Sequence, residues 1–129
     1  MRRILSIACT ILACACCASA PKVYPWNAQP LSVDGWYATE YAEVVACARR
    51  LKEYSGIRFD QIQWLITPKG AINDGTIIGL TSFPNRIYLD AGYAQNVDVV
   101  SHEMAHVALK SPYNEHDNPA FLLCSGARP

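Results

Sequence analysis

The sequence predicts one small α+β domain, and three observations predict it. Two segments, 34–54 and 97–110, carry apolar residues at helical spacing. Between them lie three short runs rich in β-branched and aromatic residues, separated by Pro, Gly and Asn. The chain has 129 residues, enough for one hydrophobic core and too few for two.

Residues 1–20 are expected to be a secretory signal rather than part of that domain. Met1-Arg2-Arg3 is a basic start, Ile4 to Ala13 is an apolar run too short to span a bilayer, and Ala18-Ser19-Ala20 has the small-x-small form of a cleavage site. Ile11-Leu12-Ala13-Cys14 offers an alternative, a lipoprotein-type signal in which Cys14 carries the lipid, although Leu12 is larger than the residue usual there. Either reading sends the chain to the periplasm, the cell envelope or the outside, and a membrane is met only through such an anchor. Loss of Arg2 and Arg3 lowers the eleven basic residues to nine against eleven acidic ones, a net charge near −2. With no basic patch and no interleaved aromatics, nucleic acid is not an expected partner.

Cys9, Cys14, Cys16 and Cys17 fall in the signal, which leaves Cys47 and Cys124 of the six cysteines. In an oxidising compartment such a pair is expected to form a disulfide. It would close a long loop, which the chain-entropy account values at about 4 kcal/mol at most. The alternative use as metal ligands lacks support from any CxxC-type spacing in residues 21–129.

Residues 21–33 hold Pro21, Pro25 and Pro30 with Tyr24 and Trp26 between them, and read as an extended arm lying on the domain surface, with Trp26 a candidate anchor, or alternatively as a disordered linker behind a lipid anchor. The domain proper, 34–129, opens with a helix. Tyr37, Tyr41, Val44, Val45, Ala48 and Leu51 form one apolar stripe, with Ser32 or Asp34 to cap its start and Gly56 to stop it. Arg49, Arg50 and Lys52 suit the negative end of its dipole. Ile62 to Thr67 is a strand ended by Pro68. Thr76 to Ser82 and Arg86 to Leu89 read as an antiparallel hairpin, with Ile87 and Leu89 on one face and Tyr88 on the other. Asn96 then caps a second helix, with Asp98 in its first turn and Val100, Met104, Val107 and Ala108 toward a core. Ser111-Pro112 stops that helix, and Pro119 opens a short apolar segment, Ala120 to Cys124.

The second helix carries His102-Glu103-Met104-Ala105-His106, an HExxH pattern. Histidines at i and i+4 share a helix face and supply two nitrogen ligands to zinc at low entropic cost. The chain has three histidines, all within fifteen residues, and His116 is the candidate third ligand because the loop after Pro112 can turn back toward the helix. Glu115 and Asp117 flank His116 as rivals, and Asp117 has a second reading as a hydrogen-bond partner of a ligand. Glu103 is rotated off the ligand line yet close enough to act as general base on a zinc-activated water. Asp98 reads either as a residue orienting His102 or as a simple helix-start charge. Tyr88 and Tyr113 are positioned to be considered as oxyanion donors, with packing the plainer reading. Trp36 and Trp64 read as core. The Tyr88 strand, if it is an edge beside the site, would let a peptide bind as an added strand.

These residues together resemble the zincin metallopeptidases, whose minimal core runs helix, strands with a hairpin, then HExxH helix. The longer metzincin pattern would need glycine at 109 and histidine at 112, where this chain has Leu109 and Pro112. The thermolysin-like group takes a glutamate from a later helix, and Glu115 is too near. The closer resemblance is to small bacterial zincin-like metallopeptidase domains, carried by Cys47, Ile62-Gln63-Trp64, Ile87-Tyr88-Leu89, His102 to His106, and the tail His116, Pro119, Phe121 and Cys124. It covers most of residues 36–126, with Asp117-Asn118 as a departure between His116 and Pro119. The resemblance implies a minimal zincin-like fold and an exported zinc metallopeptidase. In that reading His102, His106 and His116 hold zinc, Glu103 is catalytic, and a peptide or protein is the substrate. The alternative is a non-catalytic envelope or binding protein that keeps zinc as a staple.

Overall fold

A computed structural model of the chain describes residues 20, 22–109 and 116–126. The expected signal, apart from residue 20, and the loop bearing Ser111-Pro112, Tyr113 and Glu115 lie outside the described residues. The fold is α+β, as the periodicities predict. Its elements are β1 (Gln29–Pro30), α1 (Gly35–Arg50), β2 (Gln63–Thr67), β3 (Gly79–Ser82), β4 (Arg86–Asp90), α2 (Val97–Ala108) and α3 (Pro119–Cys124).

The four strands form one open sheet in the order β1-β2-β4-β3. The hairpin forms as expected, β3 and β4 being antiparallel with Gly79 opposite Leu89 and Thr81 opposite Ile87, but its first strand begins at Gly79 rather than Thr76. β2 runs parallel to β4, with Trp64 opposite Ile87, so β4 is internal and β3 is an edge among the described residues. The edge expected at the Tyr88 strand is therefore one strand further out. Tyr88 itself is buried on the sheet face away from the main core, with Ala28, Leu65 and Ile72. The Pro-rich arm does more than lie on the surface, because residues 29–30 pair antiparallel with β2. Trp26 does anchor it, packing edge-on against Tyr88 with ring centroids 5.2 Å apart.

The main core lies between the other sheet face and the helices. Tyr37, Tyr41, Val44 and Ala48 of α1 meet Trp64, Ile87 and Leu89 of the sheet and Val100, Met104 and Val107 of α2. Trp64 is core as expected, and Trp36 is half-buried, packing against the same core beside Tyr37. Asp34 occupies the position before α1 but its side chain makes no capping hydrogen bond. The helix ends at Arg50, four residues short of the end expected at residue 54. Lys52, at φ +59°, takes the left-handed stop position expected of Gly56. The Lys52 N–H donates to Arg49 O at 3.0 Å and the Glu53 N–H to Ala48 O at 2.9 Å, which satisfies the last carbonyls of α1.

α2 is built as its sequence indicates. Asn96 Oδ1 accepts from the N–H groups of Asp98 and Val99 at 3.0 and 3.2 Å. The Ser101 hydroxyl donates to Glu40 Oε1 and ties α2 to α1. The segment 119–124 is a short helix, capped by Asn118, whose Oδ1 accepts from the Ala120 N–H at 2.9 Å. Cys47 and Cys124 are bonded, with S–S 2.01 Å and Cα atoms 5.6 Å apart, so α3 is stapled to α1.

Candidate metal centre

α2 presents His102 and His106 one turn apart, and the segment leading into α3 brings His116 back to them. Each histidine offers a nitrogen, and the three nitrogens lie within 4.8 Å of one another. His102 Nε2 and His116 Nε2 are 3.2 Å apart. Two nitrogens each about 2.0–2.1 Å from one zinc at the tetrahedral angle would be separated by about 3.3 Å, so this spacing fits a shared metal ion. The chemistry of the donor set fits as well, because neutral imidazoles are ordinary zinc ligands. Burial, and then electrostatic interaction with His116, push the His102 pKa below its usual value and favour that neutral form.

Asp117 is exposed and lies outside the cluster, so of the residues flanking His116 the structure describes one and leaves it aside; Glu115 lies outside the described residues. Asp98 is exposed in the first turn of α2 and its carboxylate makes no hydrogen bond among the described residues, which leaves the helix-start reading. Tyr88 points to the opposite sheet face and Tyr113 is outside the described residues.

Glu103 is rotated off the histidine line, as a residue next to His102 must be, and it points toward β3. It is 5% exposed. Thr81 Oγ1 lies 2.7 Å from Glu103 Oε2 and 3.1 Å from the Glu103 carbonyl oxygen. Burial pushes the Glu103 carboxyl up to about 7, against the hydrogen bonds from Thr81, which favour the charged form. On the other side of the carboxyl is Gly79. A Cβ there would stand 2.9 Å from Glu103 Oε1 and 3.1 Å from Val99 Cγ1. Only a residue without a side chain lets β3 pass this close to the carboxyl. Glu103 and the three histidines share one cleft of about 230 Å³, walled by Ile77, Gly79 and Leu80.

Phe121 closes the cluster from beneath. Its ring centroid is 5.0 Å from that of His102, 4.4 Å from His106 and 5.4 Å from His116, and it is 1% exposed.

The sequence reading brought together His102, Glu103, His106 and His116 but missed Thr81 and Gly79. The signal was present. Residues opposite each other on paired antiparallel strands share a face. Ile87 and Leu89 are read as sharing one face of the hairpin, so Thr81 and Gly79 across from them belong to that same face, which the structure turns toward α2. Comparison with protein-family models, characterised proteins and solved structures yields no match to this chain.

Proposed function

We propose that this chain is an exported zinc-dependent metallopeptidase, with zinc held by His102, His106 and His116 and with Glu103 as general base. The observation that carries the proposal is the convergence of three imidazole nitrogens within 4.8 Å on a cleft that also holds a buried carboxyl. Zinc at these nitrogens would supply a Lewis acid that polarises the scissile carbonyl and makes water acidic near neutral pH.

The rest falls to the chain. Glu103 takes the proton of the attacking water and returns it to the departing amine. Thr81 holds one carboxylate oxygen, and Gly79 leaves the space beside the other open. Phe121 and the packed side of α2 keep the histidines apolar-backed on one side, so that they face the cleft. β3, an edge among the described residues and part of the cleft wall, offers unpaired backbone groups to which an extended peptide can add as a strand. The HExxH motif, its helix and the tail resembling small zincin-like domains support the same reading. So does the disulfide, which suits an oxidising compartment.

The care with which Glu103 is housed favours catalysis over a structural zinc staple, which has no use for a buried base. Glu103→Gln separates the two. It is expected to keep its zinc and to lose roughly 10²–10⁴-fold in hydrolysis of a quenched-fluorescent peptide library. Undiminished hydrolysis by the Gln variant would remove the mechanism.

A further inference from the structure

We propose that Cys47 and Cys124 are positioning residues for His116: their disulfide, by locking α3, sets how tightly the histidine cluster holds metal. The proposal rests on the metal-site reading above.

Two of the ligands need no such help. His102 and His106 are fixed by α2, a twelve-residue helix packed on both α1 and the sheet. His116 is different. It is exposed, and it precedes α3, which has six residues. A helix that short does not hold together in water on its own, so contacts with the rest of the fold keep it in place. Its inward side chains are Ala120, Phe121 and Cys124, while Leu122 and Leu123 are 55% and 69% exposed. Phe121 is the side chain by which α3 bears on all three imidazoles. Cys124, at the end of the same helix, is bonded to Cys47 on α1. This bond ties α3 covalently to α1, in addition to the chain that leads back to α2. Without the bond it is held in place by that chain connection and by non-covalent contacts alone.

Reduction by a dithiol breaks the S–S bond. Two electrons and two protons pass to Cys47 and Cys124, which become thiols, and the dithiol is oxidised to its own disulfide. The freed α3 then spends part of its time away from α2. In that fraction two ligands remain where there were three, and apparent affinity falls with the population of the competent state. Linkage requires the reverse as well: metal must favour the oxidised protein by the same factor.

Zinc affinity is measured on the full chain by competition with a chromophoric chelator, and bound cobalt(II) is followed by its visible absorption. The proteins are the wild type, C47S/C124S, His116→Ala and the triple variant. We expect zinc binding at least tenfold weaker in the serine pair. We expect no further loss when the serines are added to His116→Ala. Equal affinity in the wild type and the serine pair overturns the proposal and leaves the metal site standing, and so does a serine effect that persists without His116. A His116→Ala protein that binds zinc like the wild type instead removes the metal-site reading itself. If the serine pair does not fold, the native chain gives the answer. Its disulfide potential is titrated in a dithiol buffer, with and without zinc held at a fixed free concentration. Saturating zinc is expected to lower it by about 30 mV for each tenfold in affinity, and a potential that stays or rises overturns the proposal.

Discussion

Thr81 Oγ1 stands 2.7 Å from Glu103 Oε2, so the hydroxyl of an edge-strand residue fixes the carboxyl of the helix that carries the histidines. The bond joins the two halves of the site: sheet and helix are held in register at the point where the proposed base acts. Thr81 is itself 3% exposed, which removes water as a substitute partner for most of its contacts.

Thr81→Val keeps the shape and removes the hydroxyl. It is expected to cost about 1–3 kcal/mol in stability, because the buried carboxyl loses a partner. Turnover should fall with KM little changed, and Thr81→Ser should recover most of it. Urea denaturation and steady-state kinetics on the three proteins check this; a Val variant with wild-type turnover would show that the contact does not position the base.

Gly79→Ala places a methyl where Glu103 Oε1 and Val99 now lie, at 2.9 and 3.1 Å. β3 or the carboxyl must shift. We expect zinc content to be retained and hydrolysis to fall at least tenfold, with overpacking costing about 1–3 kcal/mol. Metal analysis and peptide assays on the same preparation separate this from general unfolding.

Alkaline pH should destabilise the fold through its buried tyrosines. Burial, with the nearby Asp34 charge, pushes Tyr37 up to about 12, and burial, with Tyr54, pushes Tyr41 up as well. Both hydroxyls also donate to backbone carbonyls, of Ala94 and Ile57. The unfolded chain gives up these protons near pH 10, the folded chain only above it. Below pH 10 both states are protonated and the tyrosines add no pH dependence. As pH rises from 10 to 12 the unfolded state binds fewer protons, so stability falls. Urea midpoints between pH 8 and 12 should trace that decline, and Tyr37→Phe should flatten it.

Lys52 pays a conformational cost at the end of α1. A left-handed lysine is disfavoured by about 1–2 kcal/mol, part of which glycine returns through the entropy of the unfolded chain. Lys52→Gly is therefore expected to stabilise by about 0.5–1 kcal/mol, read as a higher urea midpoint at unchanged slope. A lower midpoint would mean that the lysine side chain contributes something its backbone conformation hides.

The helices and the histidine cluster were legible in the sequence because they rest on local rules. Spacing alone puts His102 and His106 on one face, and Asn96 marks the start of α2. His116 was legible because one loop after Pro112 suffices to return it. The sheet was only half legible. The hairpin β3–β4 is local, but the parallel pairing of β2 with β4 is not, and nothing in either strand announces its neighbour. β1 is two residues long and includes a proline, which leaves no alternation to detect. The helix stop was misplaced because Gly56 is the residue that patterns favour, while the structure uses Lys52 four positions earlier.

The central claim is that His102, His106 and His116 form one metal site. The most direct measurement is the zinc content of the purified full chain by elemental analysis, alongside His116→Ala at equal free zinc. The account predicts about one zinc per chain in the wild type and much less in the variant. A folded wild-type protein that takes up no zinc would contradict it.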